Sequence, residues 1–66
     1  MTYQQFDLVK LVHGVPADGI PAGTVAVIVE IYDQPEPHYE VEVTTDDDTL
    51  YTVGVTPAEI EPASAP

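Results

Sequence analysis

Carboxylates, two imidazoles and four phenols carry the reactive chemistry of this chain. Asp46-Asp47-Asp48 offers the oxygen ligands that hard cations take. Three consecutive residues cannot all turn toward one ion, and no Asp-x-Asp-x-Asp-Gly loop with a distal Glu is present, so the run reads as a solvated turn. Glu30, Glu40 and Glu42 invite a reading as paired acid–base carboxylates. That chemistry needs a desolvated site to split their acidities, and an open sheet face supplies none. His13 and His38 are the side chains that titrate near neutral pH. Each sits beside a turn with no Cys, Ser or second His at a useful spacing, so both read as loop histidines. Gly14 and Gly19 lack the Lys-Ser/Thr of a phosphate loop. Tyr3, Tyr32, Tyr39 and Tyr51 could stack on single-stranded nucleic acid, but that use needs a basic groove. Lys10 is the only basic residue and cannot form one. Nothing here calls for catalysis, a metal or a cofactor.

Charge carries more information than any of these groups. Twelve acidic residues against one basic residue give 66 residues a formal charge of −11. Such a chain repels nucleic-acid phosphates and anionic lipid, and attracts basic protein surfaces. With 44% of its residues apolar, it is too hydrophobic for a disordered acidic tail. A domain this small buries only about 60% of its unfolded surface, so its stability is marginal without a staple or an assembly partner. It has no cysteine to form a disulfide staple. No basic leader and no apolar run of membrane-spanning length is seen, so the expected location is the cytoplasm.

The elements that must position these groups follow a period of two. Phe6–Val12 reads as a strand ending at the turn-rich His13–Gly19. Gly23–Tyr32 is the strongest strand signal, with six β-branched residues between Thr24 and Ile31. The prolines of Asp33–Pro37 make a loop. His38–Thr45 alternates, with Tyr39, Val41 and Val43 on one face and Glu40, Glu42 and Thr44 on the other. After Asp46–Asp48 comes a strand over Thr49–Val55. Thr56-Pro57-Ala58-Glu59 has an N-cap, a first-turn proline and a third-position Glu, the signature of a single helical or 3₁₀ turn. Glu61–Pro66 is expected to fray. The sum is four or five short strands over residues 1–62 in a small all-β barrel or a strongly bent sheet, with 63–66 as a tail.

Alternation also selects a register for the central hairpin. It sets Ile31 against Tyr39, Val29 against Val41 and Val27 against Val43 on the core face. Glu30 then opposes Glu40, and Ile28 opposes Glu42, on an outer face shared with Tyr32.

The segments FDLVKL (Phe6–Leu11), IPAGTVAVIVEIY (Ile20–Tyr32), YEVEV (Tyr39–Val43) and TPAEIEP (Thr56–Pro62), in this order, resemble the DUF4926 family of small bacterial proteins. The resemblance implies an SH3-like barrel and no assigned activity. Ala26 stands where a Gly-x-x-Gly-x-Val turn has its second glycine, and ordinary β geometry is expected there. Asp48 stands where the later hairpin often carries glycine.

The expected function is a non-enzymatic, acidic protein-binding module. It would act as an inhibitor, immunity or antitoxin-like partner that covers a basic surface on a larger protein. Ile28 and Tyr32 would anchor it, with Glu30, Glu40, Glu42, Asp46, Asp47 and Asp48 supplying charge. A structural accessory subunit or homo-oligomer, joined through an edge strand, is the alternative.

Overall fold

A computed structural model of the chain describes residues 3–45 and 48–63. It contains five strands, β1 (Leu8–Leu11), β2 (Val25–Tyr32), β3 (His38–Thr44), β4 (Leu50–Val55) and β5 (Ile60–Pro62). All are antiparallel and form one open sheet in the order β4-β3-β2-β1-β5. Two 3₁₀ turns, Pro16–Asp18 and Pro57–Glu59, are the helical content of the described residues. The second is the one marked by Thr56-Pro57: Glu59 Oε1 accepts from the Thr56 backbone N–H at 2.8 Å and from its hydroxyl at 3.1 Å.

The core lies on the concave side of this bent sheet. Val9, Leu11, Ala26, Ile28, Val41 and Val43 are essentially inaccessible, with Tyr39, Val55, Ile60 and Ile20 at the margins. Each fully buried Val or Ile contributes about 1.5–3 kcal/mol relative to exposure. Ala26 sits in β2 as an ordinary strand residue. Asp48 takes the left-handed conformation (φ 63°), which Asp tolerates better than most residues.

The central strand departs from the expected register at one point. Ile31↔Tyr39 and Glu30↔Glu40 pair as alternation demands, but on the other side of Val29 the partners are Ile28↔Val41 and Val27↔Glu42. Val29 is an extra residue, a β-bulge, and it reverses which residues face the core. Ile28, expected on the outer face, is therefore buried at 0% exposure. The reason lies in the sequence of β2. Val25–Val29 is apolar at every position, so only Glu30 and the residues after it mark a face.

A second irregularity meets the same residue from β1. The Phe6 N–H donates to the Ile28 carbonyl at 2.6 Å, and the Ile28 N–H donates to the Asp7 carbonyl at 3.0 Å. Two residues thus oppose one, the arrangement in which the first residue takes positive φ and is usually glycine. Here it is Phe6, at φ 73°. Bulges on both sides of Ile28 bend β2 where the sheet must curl over its core.

The C-terminal expectation also needs correcting. Glu61 and Pro62 do not fray: they complete β5, where Glu61 pairs with Lys10 and Pro62 with Val9. As the last strand of the sheet, β5 can hold a proline without losing a needed ladder donor.

Candidate functional site

The outer faces of β2 and β3 bring three of the expected residues together. Glu30 lies directly across the ladder from Glu40, and Tyr32 lies across from His38. Hydrogen bonding and stacking tie these rows to each other. The Tyr32 hydroxyl donates to Glu40 Oε1 at 2.5 Å. The Tyr32 ring stacks on His38 with centroids 4.8 Å apart and planes 15° from parallel. His38 Nδ1 donates in turn to the Glu36 carbonyl at 2.7 Å, which fixes its tautomer, since a carbonyl only accepts.

The bond to Glu40 is the main cause that raises the pKa of the Tyr32 hydroxyl above its ordinary value and makes it a weaker acid, with partial desolvation and the neighbouring carboxylates adding to it. Tyr32 therefore remains a proton donor throughout the physiological range, holding Glu40 in one orientation. The result is an aromatic plate with two carboxylates at its edge. A planar cation can stack on such a plate while pairing with the acids, which is the geometry a guanidinium uses.

The other expected residues are placed differently. Glu42 is half-buried one row along, opposite Val27 on β2 and Thr52 on β4. Asp48 belongs to the turn beyond the far end of β3, away from Glu40. Asp46 and Asp47 lie outside the described residues. Ile28 is in the core and presents nothing to a partner. The exposed apolar side chain bordering the acids is instead Leu8, which stands opposite Val27 in the row of Glu42. Lys10, the only base, pairs across strands with Val25 and Glu61. It is five residues along β2 from Glu30, or about 16 Å at 3.3 Å per residue, so it does not neutralise the carboxylate pair.

His38, which reads in the sequence as a loop histidine, stands instead at the first position of β3 and stacks on Tyr32. The signal was available, because the register that sets Glu30 against Glu40 also sets Tyr32 against His38. Leu8 could not have been found so directly, since its place depends on the bulge at Val29. Among the described residues, no group of three or more His, Asp or Glu is placed to hold a metal ion. No helix among them is long and apolar enough to cross a membrane.

Five antiparallel strands in one bent, open sheet, with a 3₁₀ turn leading into the last strand, make this a small SH3-like barrel domain. The chain belongs to the DUF4926 family, described as a domain of unknown function, and the family's profile covers residues 5–62. Comparison with curated proteins and with solved structures gave no match.

Proposed function

We propose that this domain is a non-enzymatic, cytoplasmic binding module that covers a basic, arginine-bearing surface on a larger protein, in the manner of an inhibitor, immunity protein or antitoxin. The observation that carries this reading is the Glu30–Glu40 pair beside the Tyr32–His38 stack. Two carboxylates facing each other across a ladder repel by up to about 1 kcal/mol. A cationic partner turns that repulsion into attraction and speeds encounter. Leu8 supplies apolar contact beside the acids, which the buried Ile28 cannot. A chain with a charge of −11 and a single lysine does not favour nucleic acid or anionic lipid as the direct ligand.

The test is co-precipitation from the source cells at low and high salt, with wild type beside a Glu40→Lys/Glu42→Lys variant. The expected result is a basic protein held at low salt, released at high salt, and absent from the variant. An eluate that is the same for wild type and variant would refute the reading.

A further inference from the structure

The geometry points to a two-fold dimer in which β4 of one chain pairs antiparallel with β4 of a second copy, centred on Thr52. This goes beyond the binding reading and uses a different part of the surface.

β4 is the free edge of the sheet, next to β3 on one side only. The direction of its backbone groups follows from the hairpin that precedes it. The Thr45 N–H donates to the Thr49 carbonyl at 3.0 Å, so hydrogen-bonded pairs recur every second residue along the ladder, at Val43↔Tyr51, Val41↔Val53 and Tyr39↔Val55. The N–H and C=O groups of Leu50, Thr52 and Gly54 therefore point away from β3, toward the open edge.

Natural edges are usually guarded by charge, proline or shortness. β5, at the other edge, has all three, being three residues long with Glu61 and Pro62. β4 has none: it is six residues long, LYTVGV, with no charged residue and no proline. Apolar side chains also line this unguarded edge: Tyr51 and Val53 on the core side are only partly buried, and Leu50 on the outer side is 58% exposed.

The same six residues are self-complementary. Pairing about Thr52 sets Leu50 against Gly54 of the second copy, and Gly54 against Leu50 of the second copy. All three hydrogen-bonding positions then meet their equivalents, as a two-fold interface requires. The exposed leucine falls where the facing residue has no side chain. Around Gly54 there is space for it, since a Cβ built there would meet no atom within 4 Å. A cleft of about 250 Å³ lined by Val53–Val55 and His13–Ala17 opens beside this end of the strand.

Two copies bring −11 each, so salt screens their repulsion and strengthens the dimer. Charge-steered binding to a basic protein has the opposite salt dependence, so the two readings stand or fall separately. The experiment is sedimentation equilibrium of the full chain over a range of concentrations at low and high salt, with amide hydrogen exchange on the same samples. The expected result is a dimer that gains with concentration and with salt, and amides of Leu50, Thr52 and Gly54 that become protected as it forms.

Thr52→Pro removes an amide that β3 does not use, so the fold is retained by circular dichroism while dimerisation weakens by about tenfold or more. Should that variant misfold, the concentration dependence of wild-type exchange decides alone. A chain that stays monomeric with those amides unprotected overturns the proposal. So does a dimer that leaves them exposed, or protection that appears only when a cationic protein is added.

Discussion

Replacing Ile28 and Val27 by alanine, one at a time, separates the bulged strand from a regular one. A regular ladder places Val27 in the core and Ile28 outside, whereas the bulge at Val29 does the reverse. Ile28 is wholly inaccessible and packs in the buried core with Val9, Ala26, Val41 and Val43. Truncating a buried isoleucine costs its transfer energy and leaves a cavity, together about 2–5 kcal/mol. The tight enclosure of Ile28 puts the expectation at about 3–4 kcal/mol. Val27 is half-buried on the outer face between Leu8 and Glu42, so its loss is chiefly one of β-branching and partial cover, about 0.5–1 kcal/mol. A domain of this length holds roughly 3–10 kcal/mol in total. Ile28→Ala therefore removes a third or more of that stability and lowers Tm by roughly 15–25 °C, against a few degrees for Val27→Ala. Thermal melts by circular dichroism, with urea titration to check that the m-value is unchanged, give both numbers. If Val27→Ala proves the more damaging of the two, the bulge is wrong, and the placement of every outer-face residue before Glu30 falls with it.

Gly14 has φ +65°, and a Cβ there would lie 2.3 Å from the Ile20 carbonyl oxygen and 2.6 Å from the Ala22 nitrogen, both backbone atoms that cannot swing aside. Gly14→Ala is expected to lose more than about 3 kcal/mol, while Gly19→Ala, at φ +71° with nothing near its Cβ, loses only about 1 kcal/mol. Equal melting temperatures for the two would show that the His13–Gly19 turn is not packed as described. Glu30→Gln relieves the repulsion across the ladder and leaves Tm equal or slightly higher; a clear fall would mean that Glu30 has a stabilising cationic partner. Tyr32 is raised above the ordinary value of 10.0 by its bond to Glu40, and Tyr3 chiefly by burial. The folded state holds these protons more tightly than the unfolded one, so their stabilising contribution is full below pH 10 and is lost as pH rises through the raised values. Tyrosinate absorbance should show a component above the ordinary range that Tyr32→Phe and Tyr3→Phe each diminish, and a titration complete at the ordinary value would contradict it.

Much of the fold is legible in residue order, because each turn is punctuated. Gly and Pro end β1, two prolines end β2, and Thr56-Pro57 opens the 3₁₀ turn. The outer face is legible wherever charge marks it, which is why Glu30, Tyr32 and Glu40 fall together as alternation requires. Legibility fails where both faces of a strand are apolar. Val25–Val29 offers β-branched or small residues at every position, so an inserted residue changes no visible pattern while it turns Ile28 inward. Glu61-Pro62 misleads for another reason. Proline and charge are ordinary loop residues, and only the vacant side of β1 makes this segment a strand.

The bulge at Val29 also sets the bend of the strand that carries the acidic face, and a deletion can test that. Removing Val29 would leave Ile28↔Val41 followed at once by Glu30↔Glu40, a regular ladder with the same partners and the same sides. What disappears is the extra twist and bend of the central strand, together with the Val29 carbonyl that accepts from Gln5 Nε2 at 2.9 Å. Phe6 and Asp7 bulge against the same Ile28 from the other side, so the bend is built from two neighbours. If it is needed to close the sheet over Val41 and Val43, the Val29 deletion should lose about 1–3 kcal/mol although no ladder pair is lost. Its β1 amides should then exchange faster as the sheet flattens. A deletion variant as stable as wild type, with unchanged exchange in β1, would mean that the chain curls without this bulge and that Val29 is a tolerated insertion. The first outcome would show that Val29 contributes the bend and not the pairing. With Val29 present, its bulge is what lets Glu30 face outward beside Glu40 while Ile28, two positions earlier, faces the core, since a regular strand would put both on one side.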